Sequence, residues 1–243
     1  MVSLFYKELR SFLSSLIGYI VIAVFLLVTG LFLWVLPNDF NILDYGYANL
    51  DGLFIIAPYV FLFLIPAISM RSFADERKSG TDELLFTRPL SDMQIVFAKY
   101  MAAFSLVFLA VIPTLVYYVS VNLLGLPIAN IDSGSFWGSF IGLLFLGATF
   151  TSIGVFASSL SSNQVVSFVI AIVLSALVYM GFEFIYSLEL FGSIDLFIKS
   201  LGISHHYSSI SRGVIDTRDI AYFLSIIFLF LFLTKFSLSR MKW

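Results

Sequence analysis

Few side chains in this sequence have the type and spacing that chemistry needs, and most of those point to binding, not catalysis. His205 and His206 are adjacent. Neighbours on a helix diverge by about 100°, so the two cannot readily share a metal, and they read as solvated loop histidines. Asp216, Arg218 and Asp219 read as an interfacial anchor or a local salt-bridge cluster. Glu183 follows a long apolar run, 18 residues beyond Val165. That is about 27 Å along a helix. It is either a carboxylate facing water or a polar contact in an outer gate or subunit interface. The densest group lies between Arg71 and Tyr100, where Glu76, Arg77, Ser79, Gly80, Thr81, Asp82, Glu83, Leu84 and Leu85 follow almost without a gap.

That group has the parts of a docking element. Gly80 permits a sharp turn. Thr81 can cap a following short helix, with Asp82 and Glu83 favourable in its first turn. Leu84, Leu85 and Phe86 give the helix an apolar face, and Pro89 stops it. Ser91 and Gln94 then form a capping box that opens the next helix. A purely topogenic positive loop is the plainer alternative, but it needs neither the Gly-Thr turn nor the capping box.

Catalytic machinery is missing from the sequence. There is no G-x-x-x-x-G-K-[ST] loop for a nucleotide phosphate. No G-x-S-G serine site, H-E-x-x-H zinc helix or pair of intramembrane aspartates occurs. With no cysteine, disulfides and thiolate chemistry are excluded. No catalytic residue, bound cofactor or metal is therefore expected in the chain.

The elements that carry these residues are apolar helices. Of 243 residues, 60% are hydrophobic and 12% charged, with 28 Phe. Soluble domains carry about 25% charged residues, so a soluble enzyme is excluded. The near balance of 13 basic and 15 acidic residues offers no field for nucleic acid. Six apolar runs are long enough to span a bilayer: about 12–36, 53–70, 100–124, 136–156, 165–182 and 220–238, the last uncharged only to Thr234 and continued past Lys235, which can snorkel. The spans predict an all-α integral membrane protein with one transmembrane domain over 1–243. Inside their apolar cores there is no Asp, Glu, Lys, Arg or His, which argues against a proton-coupled transporter or ion pump. The first run has 25 uncharged residues, longer than a signal-peptide core, and predicts a retained anchor.

Ten of the thirteen basic residues fall on one side of these spans, and only Lys199, Arg212 and Arg218 on the other. The positive-inside rule then puts both termini in the cytoplasm. Residues 2–11 predict an amphipathic interfacial helix, with Phe5, Leu9 and Phe12 on one face and Lys7, Arg10 and Ser14 on another. A frayed start of the first span is the alternative. Pro58, Pro66 and Pro113 predict kinks. Gly138, Gly142, Gly147 and Gly154 predict close helix packing, within the chain or at a dimer face. The outer stretch 187–219 predicts short interfacial or re-entrant helices.

Glu76-x-x-x-Gly80-Thr81, Leu84-Leu85, Pro89-Leu90-Ser91 and Ile95-Val96-x-Ala98-Lys99 resemble the signature loop of ABC-2-type transporter permeases. Ala98 stands where that family often has Gly, and Arg88 where a smaller residue is common. Six spans and the N-terminal Lys7-Glu8-Leu9-Arg10 helix fit as well. Overall the chain is similar to the gliding-motility-associated permeases of Bacteroidetes. The resemblance implies a non-catalytic permease subunit in a bacterial inner membrane. It implies a cytoplasmic ABC ATPase in two copies that binds ATP and Mg²⁺ and docks on the loop helix near Glu76–Leu85. It also implies a second permease subunit, as a homodimer or as a heterodimer with a larger membrane protein. Membrane lipid is the remaining partner. A membrane-embedded enzyme and a stand-alone transporter or scaffold are the competing readings.

Overall fold

The computed structural model describes residues 1–81, 90–128, 130–189 and 192–240. Within them the regular structure is all helical. Six helical stretches are long and apolar enough to cross a membrane: Leu16–Trp34, Asp51–Ser79, Asp92–Leu124, Ser133–Leu160, Gln164–Ser187 and Thr217–Arg240. They are spans one to six. The N-terminal helix and the end of span six lie at one end of the bundle, the termini end, where the Ser239 hydroxyl donates to Asp92 at 3.3 Å and Leu4 shares an apolar cluster with Leu238.

Helix boundaries follow local chemistry. The N-terminal helix, Val2–Leu13, is separate from span one. Ser15 breaks the run with an extended backbone and caps span one through Gly18. The side chains of Ser91, Asp132 and Asn163 cap spans three, four and five, and the Ser91–Gln94 pair closes both halves of a capping box. Pro58 and Pro66 sit inside span two. Pro113 falls in a short 3-10 turn, Ile112–Thr114, that interrupts span three, because proline cannot donate to the preceding turn. Span five carries a π-helical turn at Leu177–Gly181.

Span four is the centre. Of its most apolar window 78% is buried, against 22% for span five and 28% for spans one and six. Its glycines explain the difference. A β-carbon on Gly138 would meet the Gly213 carbonyl oxygen at 2.6 Å, on Gly147 the Val107 side chain at 2.9 Å, and on Gly154 the Ser69 β-carbon at 2.7 Å. These small residues are spent on contacts within the chain.

The segment between spans five and six folds back onto the bundle end remote from the termini. It forms a first outer helix, Asp195–Ser200, and a second, Ile203–Ile210. The second is anchored deeply: Ile203, Tyr207 and Ile210 are buried, and the Tyr207 hydroxyl donates to the Phe54 carbonyl at 2.7 Å. Leu196 and Phe197 on the first remain exposed, as an interfacial position allows. Leu190 and Phe191 lie outside the described residues.

Candidate functional site: the arm helix and its charged clamp

Span two does not stop where its apolar run ends. It breaks at Met70 and resumes as an arm helix, Arg71–Ser79. The Ser158 hydroxyl of span four stands at this break. It accepts from the backbone N–H of Phe73 at 2.9 Å and of Ala74 at 3.2 Å, and donates to the Met70 carbonyl at 2.9 Å. All the bonding capacity of a hydroxyl is used. A foreign side chain inserted in a helical ladder is a recognised cause of a kink.

The arm ends on Gly80, whose φ of 65° is left-handed. Its N–H donates to the Arg77 carbonyl at 3.2 Å, and the Thr81 N–H to the Glu76 carbonyl at 2.9 Å. This pair of bonds is a Schellman motif. A β-carbon on Gly80 would have open space around it, so the backbone angle, not crowding, is what asks for glycine. Ser79 donates to the Asp75 carbonyl at 2.8 Å and shares a 2.9 Å hydrogen bond with Thr81.

A charged cluster clamps the arm to two other helices. Lys99, in the second turn of span three, is 1% exposed. Its ammonium reaches the Ser72 carbonyl at 2.6 Å, Glu76 at 2.9 Å and Glu8 of the N-terminal helix at 3.3 Å. It also lies 5.1 Å from the Phe73 ring centroid. It donates hydrogen bonds to the Ser72 carbonyl and Glu8, and it holds Glu76 as an ion pair. Lys7, more exposed, lies 3.3 Å from both Glu8 and Glu76. Two ammonium groups face two carboxylates, so the cluster is neutral. That balance is what permits burial, since unpaired charge away from water costs several kcal/mol. Partial burial works against the charged form of Lys7, but the Glu8 and Glu76 carboxylates outweigh it and raise its pKa above the ordinary lysine value. The other flank of the arm is tied by Asp75, which pairs with Arg71 at 3.2 Å and accepts from the Gln164 amide at the start of span five.

Of the residues singled out in the sequence, Glu76, Ser79, Gly80 and Thr81 fall on the arm or its cap, and Arg77 lies half-buried beside them. Asp82, Glu83, Leu84 and Leu85 lie outside the described residues. On the N-terminal helix the stripe facing protein is displaced from the expected one. Leu4 and Phe12 are buried, Phe5 is partly so, and Glu8 lies on the same side. Leu9 is half-exposed and Arg10 exposed. The shift arises because this helix packs on span three, not only on a membrane surface. Glu183 is exposed in an apolar recess with Leu177, Met180 and Phe184. Reading His206 as solvated is corrected. It lies 2.6 Å from Asp219 and 2.8 Å from the Ser200 carbonyl. His205 is exposed.

The sequence reading gave Glu8, Ser158, Gln164 and Lys99 no role of their own. A signal for Lys99 existed. With the capping box starting span three at Asp92, Lys99 falls among the buried Ile95, Val96, Ala102 and Ala103, on an apolar face where a lysine needs a partner.

Residues 2–243 match a family profile described as ABC-2 family transporter protein. No curated protein matches the chain. The chain belongs to the ABC-2 transporter family, and its six apolar helices make it a multi-pass membrane protein, a permease of an ABC transporter.

Proposed function

We propose that this permease receives the motion of a separate cytoplasmic ATPase through its arm helix and passes it to the membrane bundle. One observation carries the reading: a neutral, buried charge cluster joins the arm, the N-terminal helix and span three at Lys99. An arm that only linked two spans would need no such clamp. A push delivered beyond Gly80 reaches span two through the arm itself, span three and the N-terminal helix through the clamp, and span four through Ser158.

ATP and Mg²⁺ are bound by the partner, in two copies, and this chain is not catalytic. The termini end, which carries most of the basic residues, faces the cytoplasm. The membrane is a bacterial inner membrane. A second permease subunit completes the path, either another copy or a larger membrane protein. Glu183 supports that, because a carboxylate on an apolar face is costly toward lipid and is better placed at a subunit contact or outer gate. The work done is export or, as in the gliding-type permeases, conformational work on a partner across the membrane.

The chain lacks cysteine, so Thr81→Cys gives a single thiol at the tip of the arm. A photo-cross-linker placed there in native membranes is expected to capture a protein with Walker motifs. Capture of lipid alone, in membranes that preserve other ABC complexes, would leave a stand-alone transporter or scaffold as the better reading.

A further inference from the structure

The outer end of the bundle holds a second buried polar unit, which the transfer of force does not use. His206 on the second outer helix is sandwiched between two oxygens. Its Nδ1 faces Asp219 Oδ1 at 2.6 Å, and its Nε2 faces the Ser200 carbonyl oxygen at 2.8 Å. The ring stacks on Tyr222 with centroids 3.9 Å apart, and the Tyr222 hydroxyl donates to the Leu201 carbonyl at 2.6 Å. The histidine and aspartate side chains are 14% and 9% exposed. These contacts tie the first outer helix, the second outer helix and span six at one point.

The chemistry of the two oxygens fixes the hydrogens. A backbone carbonyl only accepts, so Nε2 must carry a hydrogen. Nδ1 then faces a carboxylate oxygen, and a second hydrogen must lie between them. It sits on Nδ1 as an imidazolium or on Asp219 as a carboxylic acid. In either form the pair holds one proton more than a neutral imidazole beside a carboxylate. We propose that His206 and Asp219 form a proton-binding site whose occupancy holds the first outer helix onto span six.

The consequence of losing the proton follows from the same geometry. One hydrogen remains for two acceptors. The bond to a carboxylate is charge-assisted and is the stronger of the two, so the hydrogen stays on Nδ1 and Asp219. Nε2 then presents a lone pair to the Ser200 carbonyl, and that contact opens. The first outer helix has six residues and is also held by Lys199 over the Tyr186 ring at 4.6 Å and by the Tyr222 bond to Leu201, so loss of the Ser200 contact loosens its end without freeing it. The titratable groups on the neighbouring elements are Lys199 and Asp195 of the first outer helix, His205 beside the site, Glu183 of span five, and Asp219 and Tyr222 of span six. Tyr179 of the π-helical turn lies toward Tyr207 instead, and span four contributes no charged residue. Partial burial, with His206 and Lys199 close by, pulls the pKa of His205 down.

Two histidines in the whole chain make the test direct. His205→Asn leaves one imidazole. With ¹⁵N-labelled histidine, the full chain in lipid nanodiscs is titrated from about pH 5 to about pH 9, bracketing an ordinary histidine. The expected result is a ring protonated on both nitrogens at the acid end that becomes the Nδ1–H tautomer at the alkaline end. Hydrogen exchange across residues 195–201, corrected for its intrinsic pH dependence, is expected to lose at least about tenfold in protection, the scale of one charge-assisted bond. In Asp219→Asn the amide can donate to Nδ1, so Nε2–H and its bond to Ser200 persist without the extra proton, and protection should not change with pH. An Nε2–H tautomer at the alkaline end, or equal pH dependence in the two chains, would overturn the proposal. Neither readout requires the ATPase, so the outcome is separate from that of the coupling reading.

Discussion

Replacing Lys99 by Met keeps the length of the side chain and removes its charge. The cluster then changes from neutral to a net charge of minus one, and Glu8 and Glu76 are left sharing Lys7 alone. The Ser72 carbonyl also loses its 2.6 Å donor. Breaking a buried ion pair costs roughly 3–5 kcal/mol. The lower end applies, about 3 kcal/mol, because Lys7 remains and both carboxylates keep some solvent, at 12% and 15% exposure. An energy of that size shifts the docked-to-undocked ratio of the N-terminal helix by more than about 100-fold. A nitroxide on Val2→Cys, an exposed position in a chain without other thiols, reads this as a change from a slow to a fast spectrum. Hydrogen exchange over residues 2–13 should rise in parallel. Adding Glu8→Gln and Glu76→Gln removes both buried carboxylates and leaves only Lys7, whose side chain is 59% exposed and can be solvated, so the triple variant should regain much of the lost order. An unchanged spectrum in Lys99→Met, or a triple variant no better than the single one, would refute the clamp as an electrostatic device.

Ser158→Ala leaves the Phe73 and Ala74 N–H groups and the Met70 carbonyl without their shared partner. It should destabilise the chain by about 1–3 kcal/mol, with the loss of hydrogen-exchange protection centred on residues 70–75. Gly80→Ala should weaken the arm's end by about 1 kcal/mol through its positive φ alone, raising exchange at Thr81, while Gly80→Pro, whose φ cannot turn positive, should abolish the turn and any ATPase stimulation that depends on it. The folded chain holds the Lys7 proton more tightly than the unfolded one. Its contribution is therefore whole below the ordinary lysine value of 10.5 and is lost as the pH rises through the higher folded value. The label at Val2→Cys should accordingly stay slow at neutral pH and loosen only in strong alkali.

The six spans were legible because their signal is collective: a long uncharged run cannot be mistaken for a soluble element. Local stops were legible too. The Ser91–Gln94 box and the Gly80 turn stand where their residue types put them. The clamp was not legible, because its members are 91 and 68 residues apart, Glu8 to Lys99 and Glu8 to Glu76, and a sequence scan weighs neighbours. Lys99 also sat just outside the uncharged run, where a lysine looks like a topological marker. Only the capping box, by starting span three at Asp92, turns it inward. His206 escaped for a similar reason. Its partner Asp219 is thirteen residues away on another helix, and the fold-back of the outer segment brings them together. Span four's glycines were open between internal packing and a dimer face, and the close approaches to Ser69, Val107 and Gly213 decide for the former.

The central claim, that force enters through the arm, is tested most directly by isolating the chain with what it binds. The tagged protein, taken from its native membrane in mild detergent, should carry a stoichiometric ATPase whose ATP hydrolysis is retained in the complex. A fully inserted variant with residues 76–85 scrambled should lose that partner, while Lys99→Met should keep it but uncouple hydrolysis from motion of the N-terminal helix. A chain that comes out without an ATPase, under conditions that hold other membrane complexes together, would contradict the account.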